Sequence, residues 1–462
     1  MSEMIPKKLH FIFGLSRDFG GKPFQFFHWA AIRSAQVNNP DYETHFWFSH
    51  KPDNYFFEDL ESSLVLHKIE APNEVFGRPI PHVAHKTDLL RLFVLQEHGG
   101  VYQDLDTFTV RSFDSLLDHS FVMAREMVEN KTVGLCNAVI LSEPNHPFIA
   151  NWIERFRHFR SVGRDQFWNE SAVVWPWLIY SENPCGATVL EPESFLIPDW
   201  TRQGLEDLLI NTEVFPDAFT HHLWESFSWH ALCRHNERNS GTSQSTYSNL
   251  LKSHLSQAMR RLADRRAALV REMLTEESVI LNMGYRTRFQ AEFINADCNA
   301  ETGMDFVVDF ERERWPFVDS TFSFVFVSRL LERIGTVEHF FKELYRTARN
   351  GAVVEISLPH PRHDFFLRNP NHQRVWIAES FEHLDLDKCK GWFFEGDMRE
   401  LLAMEWMVDF KILSADYRVP HRDPAQSVAS LLQFDPQNLG AAMQYLNNTI
   451  GDIRVRLQCR KG

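Results

Sequence analysis

Asp104 and Asp106 stand one residue apart in the stretch E-H-G-G-V-Y-Q-D-L-D-T-F, residues 97–108. The run around them is apolar and aromatic, of the kind that pairs in a sheet. On an extended segment, residues i and i+2 point to the same side. Two carboxylates so placed repel unless a cation lies between them. Hard oxygen ligands suit Mg2+ or Mn2+, and a diphosphate completes such a shell. Gly99 and Gly100 let the chain turn tightly into this segment from a preceding helix. On that helix Asp88 and Arg91 are three residues apart and share a face. Such a pair is fit to grip a ribose, a sugar hydroxyl or a phosphate. A lone D-x-D is a weak signal, because solvated strand ends carry such pairs.

The elements that must position these residues follow an α/β pattern. Strands are predicted for K-K-L-H-F-I-F-G, E-T-H-F-W-F-S-H and L-V-L-H-K-I-E-A, and later for S-F-V-M-A-R-E-M and G-L-C-N-A-V-I-L-S-E. Helices are predicted for P-F-Q-F-F-H-W-A-A-I-R-S-A-Q-V-N-N-P and for P-H-V-A-H-K-T-D-L-L-R-L-F-V-L-Q-E-H-G-G, the latter ending at Gly99. Near residue 235 the composition turns polar, in R-H-N-E-R-N-S-G-T-S-Q-S-T-Y-S-N, and an amphipathic helix with one basic face follows. From Ser278 strands and helices alternate again, as in a doubly wound parallel sheet. M-V-D-F-K-I-L-S-A-D-Y-R-V and G-D-I-R-V-R-L-Q-C-R are expected to close that sheet as a hairpin pair. The expected domains are 1–234, a connecting segment and helix over 235–277, and 278–462.

The bulk numbers agree with such a chain. Its 462 residues exceed one ordinary core. Hydrophobic content is 44% and charged content 24%, which reads as soluble and globular. The net charge of -14 argues against nonspecific nucleic-acid binding, and no nucleic-acid partner is expected. The six cysteines are scattered and form no C-x-x-C, so reduced thiols and a cytoplasmic location are expected rather than structural zinc. The opening M-S-E-M-I-P-K-K-L-H-F-I-F-G holds no apolar h-region, and no signal peptide is expected. No run is long enough to span a membrane, which leaves peripheral association at the inner membrane face open.

With I-P-K-K-L-H-F-I-F-G, H-K-T-D-L-L-R-L-F-V-L-Q-E-H-G-G-V-Y-Q-D-L-D-T, C-N-A-V-I-L-S-E-P-N-H-P-F-I and H-H-L-W-E-S-F-S-W-H in this order, the chain resembles the DXD-containing sugar transferases of glycosyltransferase family 32 over about residues 5–230. The specific block reads Thr87, Asp88, Arg91, Gly99, Gly100, Tyr102, Asp104 and Asp106. The resemblance implies a GT-A fold, a nucleotide-sugar donor (a UDP- or GDP-sugar), Mn2+ or Mg2+, and retention at the anomeric carbon. It implies that Asp104 and Asp106 serve metal and diphosphate, and that Asp88 and Arg91, beside Gly100 and Tyr102, hold the donor. It puts Asn137 after the next strand, near the donor sugar. His222 matches as a third metal ligand, with Ser228 and Trp229 closing over the diphosphate. The implied acceptor is a glycan or a lipid-linked sugar, as in surface polysaccharide synthesis.

About residues 275–385 resemble class I methyltransferases that use S-adenosylmethionine (SAM). Gly284 and Asp297 match the cofactor loop and the ribose acid. Tyr285 and Arg286 follow where glycine is expected, S-R-L-L-E-R replaces the usual S-H-x-L-E-H, and R-N-G-A replaces K-P-G-G. These departures imply a retained fold with lost catalysis. His360, His363 and Asp364, in H-P-R-H-D, offer metal-ligand types but read better as a structured loop. Three rivals remain open. They are a protein acceptor, a bifunctional enzyme that also methylates, and a non-enzymatic scaffold.

Overall fold

The computed structural model describes residues 5–128, 131–240, 244–284, 289–299, 303–418 and 451–461. The chain divides into two compact units, Met1–Asp264 and Arg265–Gly462. The division falls inside the helix Thr246–Met273, so the expected connecting segment 235–277 is shared between them.

In the first unit the elements run β1 (Lys8–Phe13), α1 (Phe26–Asn38), β2 (Glu43–Phe48), α2 (Tyr55–Glu61), β3 (Val65–Lys68), the small hairpin β4 (Glu74–Val75) and β5 (Arg78–Pro79), and α3 (Val83–His98). They continue with β6 (Gly100–Gln103), β7 (Thr107–Thr109), β8 (Phe121–Val128), β9 (Lys131–Ser142), α4 (Pro147–Arg155), α5 (Trp175–Glu182) and β10 (Thr188–Leu190). α6 (Arg202–Leu209), β11 (Thr220–His222) and α7 (Glu225–Leu232) complete it, and α8 (Thr246–Met273) is divided between the two units. One seven-stranded sheet has the order β10-β8-β9-β6-β1-β2-β3. β6, β1, β2 and β3 run parallel, and β9 reverses against β6. β7 leaves this sheet and pairs antiparallel with β11.

The core explains the arrangement. Leu89, Leu92 and Leu95 of α3 are fully buried and pack in one cluster with Ile12, Tyr102 and Ile140 from the sheet. α3 stops at Gly99, whose φ is +59°, and a Cβ there would lie 2.7 Å from the Pro144 ring. Gly100 follows at φ +100°, where a Cβ would meet the Lys8 carbonyl oxygen at 2.7 Å. These two glycines let β6 lie directly beside β1.

One expectation needs correction here. The D-x-D segment is not extended. β6 ends at Gln103, and the chain turns through Asp104–Asp106 before β7 begins. The Thr107 N–H and hydroxyl both donate to the Asp104 carbonyl, at 3.2 and 2.7 Å, a local bonding pattern that competes with a ladder. The two aspartates therefore meet across a turn, not along a pleat. Asn137 follows β8 and lies within β9, in the strand predicted for G-L-C-N-A-V-I-L-S-E.

The second unit holds β12 (Ile280–Gly284), β13 (Ile294–Asp297), β14 (Phe306–Val307), β15 (Phe322–Ser328), α9 (Val337–Thr347), β16 (Ala348–Pro359), α10 (Asp364–Leu367), α11 (Leu386–Glu395), α12 (Leu402–Trp406), β17 (Phe410–Arg418) and β18 (Asp452–Cys459). Its sheet order is β14-β13-β12-β15-β16-β18-β17. The first five are parallel, and β18 and β17 close the edge antiparallel. This is the doubly wound sheet with a terminal hairpin pair that the alternation predicts. α9 buries Phe340, Phe341 and Leu344 against it. The segment T-V-E-H-F-F-K-E-L-Y-R-T-A-R-N-G-A reads in sequence as a helix stopped by Gly351, but the glycine is not what ends α9. Ala348 already pairs with Phe322, and Gly351 sits inside β16. No helix among the described residues is long and apolar enough to cross a membrane.

Candidate active site

Arg91 organises the first cluster. Projecting from α3, its guanidinium lies 3.0 Å from Asp88 Oδ1 and 3.2 Å from Asp104 Oδ1, and it donates to the Asn137 carbonyl at 2.6 Å. The Asn137 amide in turn donates to Asp88 Oδ1 at 2.8 Å, and His85 Nδ1 lies 3.3 Å from Asp88 Oδ2. Tyr102 donates to Asp104 Oδ1 at 2.6 Å, with the Arg91 guanidinium 4.5 Å from its ring centre. Burial pushes the Asp88 carboxyl up. The Arg91 charge and the hydrogen bonds from His85 and Asn137 outweigh it and hold Asp88 below the usual carboxylate range.

The second cluster is Asp104, Asp106 and His222. One ligand atom from each lies within 4.8 Å of the others, and this is the only such group of metal-ligand types among the described residues. β11 delivers His222 because it pairs with β7 directly after the turn, His222 opposite Thr107. His222 Nε2 lies 3.3 Å from Asp106 Oδ2, and Trp224 stacks on its ring with centroids 3.8 Å apart. Burial, reinforced by the Asp106 charge, raises the Asp104 carboxyl against the pull of Arg91. Burial also works against Asp106, but the His222 charge and hydrogen bond and the Glu225 N–H bring it down to about 2.

The residues fit a divalent cation. The triad offers two carboxylates and an imidazole, a donor set that Mn2+ and Mg2+ can share with phosphate oxygens. His222 Nδ1 is buried without a hydrogen-bond partner, a costly state for a polar atom unless a further ligand takes it.

Beside this cluster opens a cleft of about 350 Å3, at the carboxyl end of β1. Phe13, Gly14, Lys22, His28, Thr87 and Trp168 are among its lining residues, and Glu225 closes one side. Lys22 Nζ donates to Glu225 Oε1 at 2.6 Å, and His28 Nε2 lies 3.3 Å from Glu225 Oε2. The motif spacing does not point to Lys22 or His28, because they meet Glu225 only through the fold. Glu225 lies inside H-H-L-W-E-S-F-S-W-H and was within reach of that motif.

The other expected residues fall as follows. Ser228 is buried, and its hydroxyl donates to the Leu223 and Trp224 carbonyls at the start of α7. Trp229 packs edge-on to Phe27 and takes the Lys22 ammonium over its ring at 4.9 Å. In the second unit Gly284 and Asp297 are register partners at the carboxyl ends of β12 and β13. Asp297 is fully buried, and its Oδ1 accepts from the Asn299 N–H at 2.9 Å. Tyr285 and Arg286 lie outside the described residues. His360 and His363 each accept from a backbone N–H two residues on, so they close turns.

The first unit thus combines a mixed α/β sheet, a cleft at the carboxyl end of β1 and a D-x-D turn. A family profile described as a glycosyltransferase sugar-binding region containing the DXD motif matches residues 28–123. The matched residues lie in the first unit and include the D-x-D turn. The chain is similar to glucan organizing enzyme 1 of Cryptococcus neoformans, 27% identical over 261 residues, which cover 54% of this chain and 70% of that protein. It is similar to the mannosyl phosphorylinositol ceramide synthase SUR1 of Saccharomyces cerevisiae, 27% identical over 142 residues, covering 30% of this chain and 32% of that protein. Among solved structures, a PaToxG glycosyltransferase matches at TM-score 0.29 and 18% identity, covering 39% of this chain and 70% of that one.

Proposed function

We propose that the first unit transfers a sugar from a UDP- or GDP-sugar to a hydroxyl of a glycan or glycolipid, with Mn2+ or Mg2+ and with retention at the anomeric carbon. The observation that carries this reading is the meeting of Asp104 and Asp106 with His222, more than a hundred positions further along the chain, beside a cleft of about 350 Å3. Those three residues would hold the metal. A divalent cation there supplies charge neutralisation of the departing diphosphate.

The chain's own residues do the rest. Arg91 holds Asp88 and Asp104 in fixed orientations, so Asp88 presents its carboxylate to the donor sugar or ribose. Asn137 locks Asp88 from the other side. Gly100 and Tyr102 set the height of the Asp104 carboxylate. Lys22 and His28 line the cleft in which a diphosphate would lie, and Trp229 sits beneath the Lys22 ammonium. Asp88 has both oxygens engaged by Asn137, Arg91 and His85, which disfavours it as a covalent nucleophile. Attack by the acceptor hydroxyl on the face of the departing phosphate is the route consistent with retention.

For the second unit we read a methyltransferase-like domain that does not transfer methyl groups. The sequence carries this reading, since Tyr285 and Arg286 stand where the resemblance expects glycine. Six scattered cysteines with no C-x-x-C among them suit a reducing cytoplasm. The test is a screen of UDP- and GDP-sugars for Mn2+-dependent hydrolysis, with Asp104→Ala as control. Hydrolysis by the native chain alone supports the reading, and equal hydrolysis by both sinks it. Calorimetric binding of SAM, lost in Asp297→Ala, would instead favour the bifunctional enzyme.

A further inference from the structure

The two oxygens of Asp88 are held unequally. Oδ1 accepts from the Asn137 amide at 2.8 Å and faces the Arg91 guanidinium at 3.0 Å. Oδ2 has one hydrogen-bond partner among the described residues, His85 Nδ1 at 3.3 Å. With Oδ1 pinned, the carboxylate can still swing about that point, so the donor at Oδ2 sets its plane. His85 stands one turn before Asp88 on α3 and is 1% exposed. Its ring is flanked by Phe159 at 5.1 Å and Trp168 at 4.7 Å, centre to centre.

The far nitrogen of that ring meets a loop, residues 161–168, between α4 and α5. Ser161 Oγ lies 3.0 Å from His85 Nε2, and Ser161 is buried. Asp165 ties the loop together, its carboxylate accepting from the Val162 N–H at 2.8 Å and the Phe167 N–H at 2.9 Å. Asp165 Oδ1 and the Gly163 carbonyl each lie 2.9 Å from Ser161 Oγ and fix where that hydroxyl sits. Trp168, at the end of the loop, lines the cleft at the carboxyl end of β1. One loop therefore walls the cleft and also reaches the ring that holds Asp88.

We infer that His85, held by Ser161 with its proton on Nδ1, is a positioning residue that fixes the Asp88 carboxylate in the plane that meets a donor hydroxyl. This rests on the reading of the unit as a sugar transferase whose Asp88 holds the donor. The Arg91 charge keeps Asp88 ionised, so a hydrogen bond to Oδ2 needs the proton on Nδ1. Nε2 is then an acceptor, and the Ser161 hydroxyl is placed to donate to it. Asp165 does not need that proton, since two backbone N–H groups already bind it. Without Ser161 either nitrogen can carry the proton. A ring protonated on Nε2 sets its Nδ1 lone pair against Asp88 Oδ2, two buried acceptors face to face.

His85→Asn and His85→Leu in the whole chain separate positioning from packing. The asparagine amide reaches roughly the place of Nδ1 and can donate to Asp88, whereas leucine fills more of the space beside Phe159 and Trp168 and donates nothing. For Mn2+-dependent hydrolysis of the UDP- or GDP-sugar turned over fastest, kcat/KM should fall about tenfold or more in His85→Leu. His85→Asn should stay within about threefold of the native chain, an order that a packing role reverses. Ser161→Ala should lower kcat/KM by about threefold to tenfold, with no further effect when combined with His85→Asn. In 15N-histidine spectra at pH 8, the His85 signal is the one lost in His85→Asn. It should show the proton on Nδ1, and Ser161→Ala should mix the two tautomers. Equal losses in the two His85 variants, native kcat/KM in Ser161→Ala, or a native ring without a proton on Nδ1 would each overturn the inference. Absence of hydrolysis by the native chain would strike the transferase reading, and the histidine spectra would still decide whether Ser161 sets the ring that holds Asp88.

Discussion

The backbone N–H of Glu225 donates to the Asp106 carboxylate at 2.8 Å, across 119 residues of chain. Glu225 opens α7, so the positive end of that helix faces the carboxylate. The bond ties the D-x-D turn to the segment that also brings His222, and it makes the geometry of the turn depend on a distant part of the sequence.

Asp106→Asn keeps an oxygen that can accept from Glu225 but removes the charge. Its unfolding transition should stay close to that of the native chain. Mn2+-dependent hydrolysis of the active nucleotide-sugar should fall by about 100-fold or more. A chelator should abolish activity in the native chain, and added Mn2+ should restore it. An Asp106→Asn enzyme with native rates at saturating metal would refute the assignment.

Arg91→Met should be destabilising as well as inactivating. It leaves Asp88 and Asp104 without their countercharge, with side chains only 11% and 24% exposed. Breaking such a pair from one side costs about 3–5 kcal/mol. Urea unfolding followed by tryptophan fluorescence measures it. Arg91→Lys keeps the charge but loses the fork that spans both carboxylates, and should fall between the two.

Gly100→Ala tests whether the close approach of β6 to β1 needs glycine. The new Cβ would sit 2.7 Å from the Lys8 carbonyl oxygen and 3.0 Å from His10 Nε2, at a positive φ. A loss of about 2–3 kcal/mol is expected, with activity reduced at temperatures where the chain is still folded. Stability equal to the native chain would show that the strands can part without cost.

Acid should unfold the first unit early. His10 is buried, with Nε2 donating to the Gly99 carbonyl at 2.8 Å and Nδ1 accepting from Trp47 at 3.3 Å, so a second proton has no place. Burial lowers it to about 3, and burial lowers His221 and His235 to about 4 each. An unfolded histidine titrates near 6.5, so below that pH the unfolded chain binds more protons than the folded one. The stability these groups contribute is full above about pH 6.5 and is lost as pH falls toward 4, at about 1.4 kcal/mol per pH unit for each. Urea midpoints between pH 7.5 and 4.5 should fall accordingly, and His10→Gln should flatten the slope.

Much of this was legible in the residues. The alternation of apolar strands with periodic helices marked two α/β units, because burial on a sheet face imposes period two and a helix imposes its own. Asp88, Arg91, Gly99 and Gly100 could be placed on a helix and its end from local spacing alone. The short helix α2 left no comparable signal, since its seven residues give too little periodicity.

Taken by itself, the sequence determined which residue types were available and where the elements lie, since propensity, capping and hydrophobic period are local properties. It also carried the D-x-D block and its distant His222 as a motif. Only the tertiary structure decided that Asp104 and Asp106 meet across a turn, that Arg91 binds Asp88, Asp104 and Asn137 at once, and that Lys22 and His28 join Glu225. The reason is physical. Those contacts join segments up to 203 residues apart, and their geometry is set by strand register and helix packing, which no local pattern encodes.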